Sequence, residues 1–157
     1  MIENKNKIKM LVMDVDGTLT DGKIYMGENG EVMKAFDIKD GYAIAHMLPE
    51  MGIIPVIITG RTSKIVENRA KELGITELYQ GKLNKIDTLL AVMEKYGCNK
   101  ENVAYIGDDL PDIPCMKECG FVGCPADAVD EVKEISDYVC KNVAGHGSVR
   151  ELIETVK

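Results

Sequence analysis

The sequence predicts an α/β protein. We expect a Rossmann-like, doubly wound parallel sheet with helices on both faces, a small β-hairpin and no large cap domain. Three observations lead there. Apolar runs of strand length alternate with stretches of helical spacing, which implies βαβ crossovers. Residues 22–36 break that alternation with a hairpin pattern. The stretch between the first two polar strand ends, about 40 residues, holds only that hairpin and one helix. No Ser/Pro-rich linker, repeat or low-complexity tract divides the chain, so residues 1–157 read as a single domain with a hairpin insertion at about 22–36.

The elements follow in order. Residues 8–13 form an apolar run that reads as a buried strand. Ile24-Tyr25-Met26 and residues 32–36 flank Gly27-Glu28-Asn29-Gly30, a hairpin signal. Ile44, Met47, Leu48 and Met51 carry helical spacing over 41–51, ended by Gly52. Residues 53–58 are a strand that begins late because of Pro55. Thr62-Ser63 can cap a helix through Leu73, closed by Gly74. Leu78-Tyr79 is a short strand. Ile86, Leu89, Leu90 and Met93 line one face of a helix over 84–96, with Gly97 behind it. Residues 103–106 are a strand, 112–119 a short helix, 121–122 a strand, 129–135 a helix, 138–140 the last strand and 149–156 the last helix.

The 157 residues allow one domain with a proper core. Formal net charge is −7, which argues against nucleic acid or an anionic membrane as partner. Residues 1–9 are polar and lysine-rich, and the apolar run behind them is too short for a signal peptide. No stretch approaches a membrane span. Five cysteines, odd in number and set in core-like sequence, read as reduced thiols of a cytoplasmic protein.

In open α/β sheets ligands bind beyond the carboxyl ends of the strands, so the polar groups there carry the chemistry. The first strand runs into Asp14-Val15-Asp16-Gly17-Thr18. Two carboxylates so close at a buried strand end repel, and a cation relieves them. The second strand gives Thr59-Gly60-Arg61, the helix after the third opens near Lys85, and the fourth gives Gly107-Asp108-Asp109, with Asp112 beyond. A phosphate monoester needs its charge neutralised before a carboxylate can attack it. Asp14 and Asp108, with a main-chain carbonyl, offer the hard oxygen donors that Mg²⁺ prefers. Thr59 offers a hydroxyl and a backbone N–H at a helix start. Lys85 offers a point charge to phosphate. Asp16 is placed to protonate a leaving alkoxide and then to deprotonate water.

These four motifs resemble those of the haloacid dehalogenase superfamily of phosphatases, over nearly the whole chain. The resemblance implies an aspartyl-phosphate on Asp14, with Asp16 as acid/base and Thr59 and Lys85 as catalytic partners. It implies Mg²⁺ held by Asp14, the Asp16 main-chain carbonyl and Asp108, with Asp109 beside them. Asp37-Ile38-Lys39-Asp40-Gly41, Thr59-Gly60-Arg61, Leu78-Tyr79-Gln80-Gly81, Asn84-Lys85 and Gly145-His146-Gly147-Ser148 resemble, more closely, the family of 3-deoxy-D-manno-octulosonate 8-phosphate phosphatases. That resemblance implies a phosphorylated sugar acid as substrate, of eight or nine carbons, in lipopolysaccharide or sialic acid biosynthesis. It implies substrate contacts from Asp37, Lys39, Asp40, Gly41, Gly60, Arg61, Arg69 and Lys85, and a homotetramer. One position departs: Ala45 stands where the eight-carbon enzymes carry an arginine suited to the sugar carboxylate.

Blander readings stand beside these. Arg69 can be a solvated partner of Glu67 or Glu72. Asp109 and Asp112 can be capping residues, Asp112 of the helix to Cys119. Cys115, Cys119 and Cys124 have poor metal spacing and no nearby histidine. His46 reads as half-buried. Chain order argues against a phospho-accepting receiver domain, whose acidic pair precedes its acceptor strand. A catalytically silent regulatory or oligomerisation relative is the alternative to an enzyme. The glycines around His146 suggest a mobile lid over 144–150, against the simpler reading of 149–156 as a packing helix. The apolar hairpin would leave exposed edges if alone, which suggests packing between subunits.

Overall fold

The computed structural model describes residues 7–157; the polar start at 1–6 lies outside the described residues. In chain order the strands are β1 (Met10–Met13), β2 (Tyr25–Gly27), β3 (Gly30–Met33), β4 (Ile54–Ile58), β5 (Glu77–Tyr79), β6 (Val103–Ile106), β7 (Phe121–Cys124) and β8 (Tyr138–Val139). The helices are α1 (Ile38–Tyr42), a π-helical segment (Ala43–Met47) that runs on into α2 (Leu48–Glu50), α3 (Lys64–Glu72), α4 (Lys85–Lys95), α5 (Ile113–Lys117), α6 (Asp130–Ile135) and α7 (Ser148–Val156).

Six strands form one parallel sheet in the order β5-β4-β1-β6-β7-β8. The chain winds outward from β1 to β5, then returns past β1 to wind the other way. β1 therefore sits at the switch point, where a cleft opens beyond the strand ends. Met13 pairs with Ile57 on one side and Ile106 on the other, which brings the ends of β1, β4 and β6 level.

β1 is buried on both faces, which explains its unbroken apolar run. Leu11 and Met13 face a layer built from Ile44 and Leu48, Val66 of α3, and Val149, Leu152 and Ile153 of α7. Met10 and Val12 face the opposite layer, with Leu89 and Val92 of α4, Met116 of α5 and Val132 of α6. The two-residue side-chain period of a strand thus divides one apolar run between two cores. No helix among the described residues is long and apolar enough to cross a membrane.

Two boundaries differ from the sequence expectation. The first helix begins at Ile38, ahead of Gly41, because Asp37 caps it: its Oδ1 accepts from the N–H groups of Lys39 (2.7 Å) and Asp40 (3.1 Å). The hairpin is shorter than its apolar residues suggest, with a two-residue turn at Glu28-Asn29 and an irregularity between Tyr25 and Met26. Its side chains are exposed, Met26 at 64% and Val32 at 61%.

The expected lid over 144–150 is instead docked to the domain. Ala144, Ser148 and Val149 are buried. The carboxylate of Asp127 accepts from the Ala144 N–H at 2.8 Å. Asp40 Oδ1 accepts from the Arg150 N–H at 2.8 Å, in the first turn of α7. The apolar face of α7 completes a core layer, and burial of that face outweighs the freedom that the glycines allow.

Candidate active site

Each expected motif reaches the cleft because its strand ends there. Asp14 follows β1 directly, and its N–H still donates to Ile106 O, which extends the ladder by one residue. Thr59 follows β4, Asp108 lies two residues past β6, and Lys85 opens α4. Asp14, Asp16, Thr59, Gly60, Arg61, Lys85, Asp108 and Asp109 all line one cavity of about 230 Å³, beside Lys82 and Leu83.

Its floor is a charged cluster. Lys85 Nζ donates to Asp14 Oδ1 and to Asp112 Oδ1, both at 2.9 Å. The Tyr105 hydroxyl donates to the same Asp112 oxygen at 2.7 Å. Asp112 Oδ2 accepts from the N–H groups of Asp108 (3.0 Å) and Asp109 (3.3 Å). Asp112 is therefore not the side-chain cap of α5. It is the anchor of the fourth motif, and both its oxygens are already engaged. Gly107 makes room for it: a Cβ there would lie 2.4 Å from Asp112 Cγ. Gly17 does the same for Asp108, since a Cβ would fall 2.0 Å from Asp108 Oδ2, and its φ of +85° is left-handed.

Carboxylate oxygens of Asp14, Asp108 and Asp112 lie within 4.8 Å of one another. Burial, then the charge of Asp112, pushes Asp14 up to about 6 despite Lys85. Burial, then the charges of Asp14 and Asp112, pushes Asp108 up to about 8, against a hydrogen bond from the Thr18 hydroxyl at 3.2 Å. Burial and crowded negative charge disfavour the ionised form of both groups. A hard divalent cation offsets that negative charge. With Asp112 fully engaged, Asp14 and Asp108 are the carboxylates left to bind one. The residues present thus fit the expected metal. Asp109 faces its own turn, where Oδ1 accepts from the Leu110 N–H at 2.8 Å.

Thr59 supplies less than expected. Its N–H donates to Tyr79 O at 2.9 Å, because the β4–β5 ladder continues past Ile58. The following helix starts only at Lys64, capped by Ser63. The hydroxyl is what remains for phosphate.

The other expected substrate contacts lie outside this cavity. Asp37 caps α1, and Asp40 binds the start of α7; burial pushes Asp40 up to about 6. Gly41 lies against Arg69. The Arg69 guanidinium sits over the Phe36 ring at 5.5 Å, donates to Glu72 at 3.1 Å and reaches Asp37 O at 3.5 Å. The Glu72 pair expected of a solvated arginine is thus present. Ala45 lines a separate surface cavity with Tyr42, His46 and Arg69. Lys39 is exposed. All five cysteines are free, and burial raises each thiol.

Sequence reasoning missed Lys34, which pairs with Asp16 and, at 2.9 Å, with Glu31. A lone lysine inside the apolar stretch 32–36 was the available signal.

Fold and site together define a hydrolase of the phosphoryl-transfer type, with a cluster of carboxylates at the switch point. A family profile described as haloacid dehalogenase-like hydrolase matches residues 74–152. The 3-deoxy-D-manno-octulosonate 8-phosphate phosphatase of Escherichia coli K12 is 46% identical over 154 residues, 98% of this chain and 81% of that protein. A crystal structure of that phosphatase from Moraxella catarrhalis, in complex with magnesium, phosphate and a KDO molecule, has a TM-score of 0.91. It is 42% identical and spans 97% of this chain and 87% of its own. The cobalt-bound enzyme from Haemophilus influenzae has a TM-score of 0.94 at 37% identity, over 98% and 90%. The chain belongs to the haloacid dehalogenase-like hydrolases.

Proposed function

We propose that the protein is a Mg²⁺-dependent phosphatase of a 2-keto-3-deoxy sugar acid phosphate, acting through an aspartyl-phosphate on Asp14. The observation that carries this is the buried Lys85–Asp14 pair beside Asp108, in a cavity that also holds Asp16 and Thr59. Every position needed for turnover is filled, which disfavours a silent relative. The names of the similar proteins favour the eight-carbon 3-deoxy-D-manno-octulosonate 8-phosphate as substrate.

Asp14 and Asp108, with the Asp16 carbonyl, would hold Mg²⁺, which when bound offsets phosphate charge. Asp14 attacks phosphorus. Lys85 keeps its carboxylate oriented and neutralises a phosphate oxygen, and the Thr59 hydroxyl holds another. Asp16 gives a proton to the leaving sugar oxygen as its bond to phosphorus breaks. It then takes a proton from the water that attacks the acyl phosphate, releasing phosphate and restoring Asp14.

Arg69 and Ala45 stand apart from the catalytic cavity of their own chain. From a second subunit they would be free to serve a sugar bound there. With the exposed hairpin, this supports a homotetramer in which subunits complete each other's sites. Five unpaired cysteines support a reducing, cytoplasmic setting.

The test is a panel of phosphorylated keto-sugar acids of eight and nine carbons, with and without EDTA. We expect metal-dependent hydrolysis, the eight-carbon ester preferred. Ala45→Arg should sharpen that preference by restoring a charged donor for the carboxylate. Full activity in EDTA, or in Asp14→Asn, would refute the mechanism.

A further inference from the structure

Asp16 has contacts that hydrolysis itself does not call for. Lys34 leaves the hairpin one residue past β3, and its side chain is only 1% exposed. Its Nζ pairs with Asp16 Oδ1 and lies 2.9 Å from Glu31 Oε2. On the other side, the Arg61 guanidinium lies 3.9 Å from Asp16 Oδ2 and 3.8 Å from Glu31 Oε2. Two cations and two carboxylates alternate around a closed ring. Arg61 lines the catalytic cavity, and Lys34 does not.

A buried lysine is a poor device for stability alone, because desolvation consumes much of what the pairing returns. What the arrangement does is immobilise one oxygen, since Lys34 hydrogen-bonds Oδ1 whereas Arg61, at 3.9 Å, stands beyond hydrogen-bond reach of Oδ2. An acid/base carboxyl works only if its other oxygen stays within hydrogen-bond reach of the leaving atom. Glu31 pairs with both Lys34 and Arg61 and so offsets part of the positive charge beside Asp16. We propose that Lys34 is a positioning residue for Asp16: the hairpin clamps Oδ1 through Lys34, so that Oδ2 faces the leaving oxygen in the cavity. This gives the hairpin a role inside its own subunit, separate from any contact it makes with another. The inference rests on the acid/base role proposed above for Asp16.

The experiment compares two esters in a single turnover: a phosphorylated keto-sugar acid, whose alkoxide must be protonated to leave, and p-nitrophenyl phosphate, whose anion leaves unaided. Lys34→Met should slow the first by about tenfold to a hundredfold, the scale of a misplaced catalytic group, with KM nearly unchanged. Release of p-nitrophenolate should change by less than about twofold, since it needs no acid. Lys34→Gln, which keeps length and polarity, should show the same split. Asp16→Asn is the reference. If it splits the two esters and the Lys34 variants do not, only the positioning role fails. If it does not split them, the acid/base reading of Asp16 fails first. Equal loss on both esters, no loss on either, or failure of both Lys34 variants to fold would overturn the proposal by assigning Lys34 to the fold.

Discussion

Lys85 Nζ and Asp14 Oδ1 lie 2.9 Å apart, joined across 71 positions of the chain, and both side chains are largely buried. Burial and neighbouring carboxylates disfavour the ionised aspartate, and Lys85 is the cation that opposes them. The pair supports the nucleophilic role proposed for Asp14.

Removing either partner separates two roles. Asp14→Asn should leave only background hydrolysis of any phosphate ester, because no nucleophile remains. Lys85→Met should lower turnover by about a hundredfold to a thousandfold, the usual loss when one preorganised charge is taken from a transition state. It also strands Asp14 and Asp112, so the metal-free variant should melt earlier than wild type. Steady-state rates and thermal melts check both, and a Lys85→Met protein with normal turnover would contradict the assignment.

The crowded carboxylates make stability depend on pH and metal. Asp14 is raised to about 6 and Asp108 to about 8, both above the ordinary 3.8. Between their unfolded and folded values the native state holds protons that the unfolded chain has released. Stability must therefore fall as pH rises through that window. In EDTA, the melting temperature should drop from pH 6 to pH 8.5. Mg²⁺ should restore it, most strongly at the alkaline end. Asp108→Asn should flatten the slope and melt higher than wild type in EDTA while losing activity. A melting temperature independent of pH in EDTA would count against the raised carboxyl groups of the metal-free site.

How the sequence announced these residues differs from case to case. The placing of Asp14, Asp16 and the acidic pair after β6 in the cavity was legible because each sits in a short local pattern at the end of an apolar run. Their distances from one another follow from strand order alone. Partners distant in sequence were not legible. Asp112 looked like a helix cap because its neighbours are helical, yet its Oδ1 accepts from both Lys85 and Tyr105. Thr59 kept its hydroxyl but not its free N–H, since nothing local says that the ladder with β5 runs one residue further. The glycines near His146 suggested motion, while the periodicity of Val149, Leu152, Ile153 and Val156 encoded the burial that docks the segment.

That docking yields its own prediction. Asp40 accepts from the first turn of α7, where a carboxylate satisfies otherwise unpaired N–H groups and opposes the helix dipole. Asp40→Ala should cost about 1–2 kcal/mol, and Asp40→Asn, which keeps an acceptor oxygen, clearly less. Leu152→Ala should cost about 2–5 kcal/mol, as expected for a fully buried leucine. Denaturant unfolding reads all three. Near-wild-type stability for Leu152→Ala would bring back the lid.

The hairpin provides the last prediction. Met26, Val32 and Met33 are more than half exposed on a two-stranded ribbon too small to be stable by itself. An apolar ribbon of this kind calls for cover, and a second copy supplies the same surface in return. If the protein is the proposed homotetramer, the double variant Met26→Asp, Val32→Asp should shift the light-scattering mass from four chains toward one, because paired carboxylates cannot be buried against their own copies. The catalytic cavity lies within one chain, so aryl phosphate hydrolysis should persist. The sugar should suffer, because Arg69 lies outside that cavity and would act from a neighbour. Losing one charged hydrogen bond to the substrate carboxylate costs about 2 kcal/mol, so kcat/KM for the sugar acid phosphate should fall roughly thirtyfold. A monomeric wild type, or a monomeric variant that hydrolyses the sugar ester as well as wild type, would show that each chain recognises its substrate alone.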